Sequence, residues 1–426
     1  MRYEKYISVP DAIWFDVVPD SWRALKMRGV FSERNTKVSD KDYPALSVGK
    51  MGVVPQLDTA VKTDNGDNRK LICKGDFAIN SRSDRKGSSG ISQYDGSASL
   101  IITVLKPHRS LNGRFYHYLL RGHYFAEEFY RNGHGLVSDL WTTKWDEMRN
   151  IYIPVPPREE QNQIVRYLDW QVSKINKLIH GYQRQIKLLE ERRQTVIDRA
   201  VTKGVRQGRQ MHSIQANWMG DIPADWKMIP SKRLFLESKE RKHPDDKPAT
   251  ASQKYGIILQ EDYMKSENKR IVIATQGLDD WKHVEPDNFV ISLRSFQGGI
   301  ERSEIFGCVT WHYIVLLPQK YVVPRYFKWL LKSKSYIKAL QGTSEFIRDG
   351  QDLRYSNFVK VDLPLIPASE QEEIADYIEQ ETAKIDRAIP VLEKEIELLK
   401  EYRTRLISDV VTGQMDVRNV EVPEYT

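Results

Sequence analysis

The chain has 426 residues, 40% of them hydrophobic and 29% charged, with a formal net charge of +7. That is too long for one ordinary domain, typical of a folded soluble chain, and mildly biased towards polyanionic partners. No apolar run is long enough to span a bilayer, and the opening MRYEKYISVPDAIWFD lacks the apolar core of a signal peptide, so a cytoplasmic protein is expected. Cys73 and Cys308 stand at unrelated places, as small buried residues do, rather than as a disulfide or half of a zinc site.

In chain order, the first half opens with Trp14, Pro19, Trp22 and Phe31. Strand-like runs follow at 46–54 (LSVGKMGVV), 76–80 (DFAIN) and 99–105 (SLIITVL), separated by Gly- and Ser-rich loops such as 83–90. Phe115, Tyr118, Leu119 and Phe125 recur at roughly helical spacing over 113–130. The Pro-rich exit IPVPP (153–157) then leads into a heptad pattern over 159–201. With Leu168 at position a, its a/d series is Leu168, Val172, Ile175, Ile179, Tyr182, Ile186, Leu189, Arg193, Val196 and Ala200. A polar stretch, 205–217, reads as a linker.

The second half repeats this order. Trp218, Pro223, Trp226 and Phe235 match the opening at an offset of 204, and strand-like runs lie at 255–259, 288–293 and 308–317. Helical spacing returns over 325–340, followed by LPLIP (363–367). A second heptad series lies at an offset of 210: Ile378, Thr382, Ile385, Ile389, Leu392, Ile396, Leu399, Arg403, Leu406 and Val410. Residues 414–426 read as a flexible tail. Pro157, Glu160, Gln161, Ile164, Tyr167, Lys174 and Ile175 recur as Pro367, Glu370, Gln371, Ile374, Tyr377, Lys384 and Ile385. Between openings and helices, Phe77, Arg82 and Ser83 meet Phe289, Arg294 and Ser295, while Arg114, Leu119 and Leu120 meet Arg325, Leu330 and Leu331. An ordered series of matches with small drift marks a tandem duplication.

A narrow apolar seam with charged flanks requires another helix, and the simplest partner for each copy is the other. Residues 168–200, at ~1.5 Å per residue, would make a rod of roughly 50 Å able to hold two globules apart. Ser369 with Glu372 forms a capping-box pattern, and Gly204 and Gly413 suit C-caps. Gly181 and Pro390 predict a kink or break in each helix. Arg193 and Arg403 occupy the same seam position. The expected arrangement packs their stems while the guanidinium reaches acids such as Glu190 or Glu401; the alternative is a polar register pin between helices or a contact to a partner.

Enzyme signatures are missing. There is no G-x-x-x-x-G-K-[ST] loop, no G-x-G-x-x-G after a strand, and no Asn-Pro-Pro-aromatic signature of an adenine methyltransferase. His117, His123 and His134 lack carboxylates or cysteines at ligand spacing, so no metal site is assigned. Carboxylate-x-lysine triplets such as Glu237–Lys239 arise by accident in so charged a chain.

With these motifs in hand, the chain resembles, over essentially its whole length, the specificity (S) subunit of type I restriction-modification systems. The residues that carry the resemblance are PP-x-x-EQ-x-x-I-x-x-YL (Pro156 to Leu168), KI (174–175), LLEERR (188–193) and AVTKG (200–204). Their second set is Pro367, Glu370, Gln371, Ile374, Tyr377, KID (384–386), LLKEYR (398–403) and VVTG (410–413). VVPDSW (17–22) and DIPADW (221–226) match the IP-x-x-W start of each target-recognition domain in that family. Val17 and Val18 replace a Gly-rich lead-in, and Pro390 interrupts the second helix.

The resemblance implies an α+β fold: two tandem mixed α/β target-recognition domains (1–156 and 218–366) separated by two long helices (157–204 and 367–413) packed as an antiparallel coiled coil. It implies that each domain reads one half of a split, asymmetric sequence in double-stranded DNA, while the helices set the spacer. It further implies docking of two modification (M) subunits, which carry S-adenosylmethionine and methylate adenine. Restriction (R) subunits would add ATP- and Mg-dependent cleavage, leaving this chain without catalysis or a cofactor of its own. The seam residues expected to serve helix pairing and subunit docking are Leu168, Ile175, Ile179, Ile186, Leu189, Arg193, Ile378, Ile385, Ile389, Ile396, Leu399 and Arg403. A coiled-coil adaptor with protein-binding globules is the competing reading.

DNA readout requires Lys and Arg for phosphates, and Arg, Asn or Gln on loops for base edges. Candidates in the first half are Lys50; Arg82, Arg85 and Lys86; and Asn132 and Lys144. In the second half they are Arg294, Gln297 and Arg302, then Arg348, Gln351 and Arg354. Arg82 and Arg294, matched between repeats, suit backbone contacts common to both halves. Unmatched loop residues suit discrimination, because each half should read a different sequence.

Overall fold

A computed structural model of the chain describes all residues except 1, 58–65, 83–86, 109–110, 136–140, 214–217, 268–277, 293–294, 344–352 and 425–426. The chain divides into two compact units, Met1–Gln183 with Glu393–Thr426, and Arg184–Leu392. Both divisions fall inside the long helices, Arg158–Lys203 and Ala368–Val411. Each unit therefore holds one globule, the beginning of the helix that follows it, and the end of the other helix.

The duplication extends to strand order. The first globule carries an antiparallel sheet ordered Ser89–Ile91, Phe77–Asn80, Ile102–Pro107, Phe31–Glu33. The second orders the equivalent strands identically: Glu301–Arg302, Phe289–Ile291, Ile314–Pro318, Phe235–Ser238. Arg23–Lys26 pairs with Tyr152–Val155, and Lys227–Ile229 pairs with Leu363–Leu365. Tyr6–Ser8 pairs with Val17–Pro19, and Met211–Ser213 pairs with Asp221–Pro223. The last pairing corrects the expected linker at 205–217, part of which is a strand of the second globule.

The central strands are apolar on both faces because each face meets a core. Phe289, Ile291, Ile314 and Leu316 point into the cluster shared with the helices, while Val290 and Val315 point into a second cluster with Ala249, Ile257, Val284 and Val309. The alternation is the period of two of an extended chain. The helical cluster includes Ile197, Ala200 and Val201 from the end of the first long helix, and Ile374, Ala375 and Ile378 from the start of the second. The run 46–54 folds back as a hairpin, Leu46–Gly49 against Gly52–Pro55, with Gly52 at φ 97°. The run 308–317 likewise contains two strands, Gly307–Val309 and Ile314–Pro318. Cys73 and Cys308 are free thiols, the latter buried.

Neither long helix is broken, so of the kink or break expected at Gly181 and Pro390 the break does not occur. The first is helical through all 46 residues and the second through all 44. Pro390 removes one hydrogen bond, but it and Asp386, whose carbonyl loses its partner, are both exposed, so water can replace the lost donor. Of the seam positions, Leu168, Ile175, Ile179, Ile378, Ile385 and Ile396 are buried, while Ile186, Leu189, Ile389 and Leu399 are half-buried.

The two helices run antiparallel within each unit. In the first unit Asn176 lies by Arg403 and Gln163 by Val417; in the second Arg193 lies by Asp386 and Arg206 by Glu373. Arg193 Nε donates to Asp386 Oδ1 at 2.9 Å, and Arg403 Nη1 donates to Asn176 Oδ1 at 2.5 Å. Both arginines thus reach across the seam rather than to Glu190 or Glu401 on their own helices, which is the register-pin arrangement. The offset of 210 that relates the arginines also carries Asn176 onto Asp386.

Residues 414–424 do not form the flexible tail expected. Val417 is buried, Gln163 Nε2 donates to the carbonyls of Val417 (3.0 Å) and Val420 (2.8 Å), and Arg418 lies over the Tyr3 ring.

Two glycines separate end geometry from helix propensity. Gly413 adopts φ +76°, and a Cβ there would collide with Pro19. Gly413→Ala should destabilise the chain by about 1–3 kcal/mol. Gly181 is exposed, and a Cβ added there would meet nothing within 4 Å. Gly181→Ala should therefore stabilise the chain by roughly 0.5–1 kcal/mol. Chemical denaturation of both variants checks the opposite signs.

Candidate nucleic-acid interface

The element that positions everything else is the join between globule and helix, and it is built twice from the same residues. Gln161 Nε2 donates to the Pro156 carbonyl at 2.8 Å, and its Oε1 accepts from Asn112 N at 2.8 Å. Gln371 Nε2 donates to the carbonyls of Ile366 (2.8 Å) and Tyr321 (2.9 Å), and its Oε1 accepts from Val323 N at 2.9 Å. Both side chains are buried, so each amide satisfies backbone groups that would otherwise be stranded away from water. Trp14 Nε1 donates to the Tyr152 carbonyl and Trp218 Nε1 to that of Asp362, each at 2.8 Å.

The helix ends dock by a second device. Gly204 closes the first long helix against Trp226, and Gly413 closes the second against Trp22. Their left-handed φ values of 71° and 76° turn the chain where a side chain would meet the indole or Pro19. The acids diverge in use: Glu160 accepts from Tyr3 Oη, while the buried Glu370 accepts from Arg209 and from Trp226 Nε1. Arg114 pairs with Asp169 at 2.5 Å, and its repeat Arg325 pairs with Asp376 and Glu379 at 2.8 and 2.6 Å. Sequence matching found the repeated Trp, Glu, Gln, Gly and Arg identities, but it assigned a role only to the two glycines, as C-caps. Their signal was repetition at both ends of a helix.

In the first globule the three candidate loops become neighbours. Arg82 forms a bridge with Thr142, and Thr143 N donates to the Ser81 carbonyl at 2.9 Å, so the strand exit after Asn80 lies beside the 132–145 loop. Arg82 and Lys144 are exposed there. Asn132 is committed to local structure: its Nδ2 donates to the Glu128 carbonyl and carboxylate. The strand returning from the Arg82 loop packs closely on the Lys50 hairpin, since a Cβ on Gly90 would stand 3.0 Å from Gly52 Cα. Lys50 is exposed, and its carbonyl accepts from Arg121 Nη2 at 2.5 Å. Arg85 and Lys86 lie outside the described residues.

In the second globule Gln297 and Arg354 are exposed, the latter at the start of the short helix Tyr355–Phe358. Arg302 is engaged instead with Asp287 (2.5 Å) and Glu304 (3.7 Å), which holds the strand end at Asp287, a residue with φ 72°. Arg294, Arg348 and Gln351 lie outside the described residues.

A cleft of about 620 Å³ opens within the first unit between Gly113–Arg121, His123–Arg131 and the long helices, lined among others by His117, Tyr118, Arg121, His123 and Arg403. Sequence reading gave His117 no role and missed Arg121. Burial and the nearby Arg121 and Arg114 guanidinium groups push the His117 imidazole down to about 4, so it is neutral at pH 7. Arg121 Nη1 donates to its Nε2 at 3.1 Å. Burial also pulls the Arg121 guanidinium below its usual range, so this cation is incompletely solvated and suits an anionic neighbour.

No protein-family model matches the chain. It is 21% identical over 94% of its length to a putative type I restriction enzyme specificity subunit, MjaX, of Methanocaldococcus jannaschii, and covers 95% of that protein. It is 24% identical to the MjaVIII specificity subunit of the same organism, with 64% of each chain covered. In fold it matches a chain from a solved type I restriction-modification assembly at a TM-score of 0.69, covering 93% of this chain and 99% of that one at 14% identity. The HsdS subunit from Thermoanaerobacter tengcongensis matches at 0.51, covering 95% of this chain and all of that one at 16% identity. Among the described residues no helix is long and apolar enough to cross a membrane.

His117 generates a pH prediction. The fold holds the neutral imidazole, so between its ordinary 6.5 and about 4 the unfolded chain binds the proton first. Its contribution is complete above about pH 6.5 and is lost as pH falls towards 4, by roughly 1–3 kcal/mol after allowing for partial exposure. His117→Gln should flatten the difference in melting temperature between pH 7.5 and 5; an unchanged difference refutes the assignment.

Proposed function

From the premise that relatives in sequence and neighbours in fold are both type I restriction-modification specificity subunits, we propose that this chain selects the DNA sequence for such a complex. Each globule reads one half of a bipartite, asymmetric site, and the paired helices set the spacer between halves. The chain contributes no catalysis. Methylation of adenine belongs to two M subunits carrying S-adenosylmethionine, and cleavage of unmodified DNA to R subunits using ATP and Mg.

The observation that carries this reading is the duplicated join. Two globules of one topology are each gripped by the start of one long helix and the end of the other, through the same Gln, Trp and Gly residues. Such joins keep a reader fast to the helices while its loops vary. In the first globule Arg82, Lys144 and Lys50 are exposed on adjoining loops, as phosphate and base contacts require. Arg302 is withdrawn from the list of contacts, because its guanidinium is spent on Asp287 and Glu304.

Co-expression with the M subunit followed by genome-wide adenine-methylation mapping should return a bipartite motif. A continuous motif, or none with the complex intact, defeats the reading and favours the protein-binding adaptor. For the purified complex, Arg82→Ala and Lys144→Ala should each weaken DNA binding, and each lost phosphate contact should lower the slope of log affinity against log salt by about 0.9. Inserting seven residues into both helices should change the spacer and leave the half-sites unchanged; altered half-site letters count against a ruler.

A further inference from the structure

The second globule contains a cluster that no part of DNA reading uses. His243, Asp246 and His283 bring one potential ligand atom each within 4.8 Å of one another, the one such group among the described residues. The chain builds it locally. His243 N donates to Asp246 Oδ2 at 2.7 Å and Asp246 N to the His243 carbonyl at 3.2 Å, a tight turn around Pro244 that sets two donors side by side. The third comes from the strand Lys282–Val284, held against this turn by a bridge between Arg241 and Lys282 and by His283 N donating to the Glu240 carbonyl at 3.2 Å.

Charge in the cluster is unbalanced. His283, only 5% exposed, has a carboxylate at each ring nitrogen: Asp246 Oδ2 at 2.7 Å from Nδ1 and Glu285 Oε1 at 3.3 Å from Nε2. Glu240 Oε1 stands 3.0 Å from His243 Nε2, and the two imidazoles are stacked with centroids 3.9 Å apart. Three carboxylates thus converge on two rings that cannot both carry charge at that separation without repulsion. The nearby cations are turned elsewhere: Arg241 to Asp280, Lys242 to Asp279 and Lys247 to Glu261. Among the described residues no Lys or Arg forms an ion pair with Glu240, Asp246 or Glu285. The imidazoles are therefore the side chains left to face these carboxylates, a place that a metal cation can take over.

We infer that His243, Asp246 and His283 form a binding site for a divalent transition metal of the zinc class, with Glu240 and Glu285 as flanking carboxylates. Two imidazoles and one carboxylate are a donor set that zinc accepts in tetrahedral sites, whereas calcium and magnesium take oxygen donors. Binding displaces the ring protons now directed at the carboxylates, and the metal joins the 239–248 segment to the two-stranded sheet of Lys282–Val284 and Gly307–Val309.

The test uses tag-free full-length chain, in complex with its M subunit where needed, stripped with chelator, incubated with zinc sulfate and desalted before elemental analysis. One zinc per chain is expected, together with a rise in melting temperature that chelator reverses. His283 is buried, so His283→Gln could unfold the site; His243 is half exposed, and His243→Ala keeps the fold testable. His243→Ala should weaken zinc binding by about tenfold or more, as loss of one of three protein donors requires. No retained zinc in the wild-type chain, or undiminished affinity in a folded His243→Ala chain, overturns the site.

Discussion

The buried amides of Gln161 and Gln371 join each globule to the helix that follows it. At the strand exit the backbone leaves its ladder before the helix has begun its own, and the loop beside it has an N–H with no partner. A side chain carrying both a donor and an acceptor is the smallest group that satisfies both, and the two copies use it in the same way. The C-terminal glycines complete the grip. A turn through φ near +70° on the face of a buried tryptophan lets the end of one helix lie against the globule that begins the other. Remove either device and a globule is attached to only one of its two helices.

The seam between the helices follows a different physics. Its apolar positions supply attraction without much specificity of register, because one leucine layer resembles the next. The polar pairs supply register. Arg193 with Asp386 and Arg403 with Asn176 are half-exposed, and such pairs contribute only about 0–1 kcal/mol. Each pair crosses between the helices, so it ties a position on one helix to a position on the other.

Around these constant parts the globules diverge. The first places Arg82 beside Thr142 and a neutral His117 under Arg121; the second places a histidine–carboxylate cluster between a turn and a sheet edge. Loops are free to differ because the strand order and the joins do not depend on them. Divergence of this kind fits the proposal that the two globules read unlike half-sites.

The sequence by itself determined the duplication, the extent of both long helices to within a residue or two, the apolar seam and the C-terminal glycines. These are periodic or repeated features, and periodicity survives without knowledge of neighbours. It misjudged features decided by what lies alongside. Pro390 does not break its helix, where it and Asp386, whose carbonyl loses its donor, are both exposed; residues 414–424 are held by Gln163 and by burial of Val417; and Arg193 and Arg403 find acceptors on the opposite helix rather than their own. The loop candidates show the same division. Residue type nominated Arg82, Lys144 and Arg302 alike, but only tertiary contacts left the first two exposed and spent the third on Asp287 and Glu304. Tertiary structure alone could bring His283 to His243 and Asp246, 40 and 37 residues away in sequence, because no local spacing records a strand laid beside a turn.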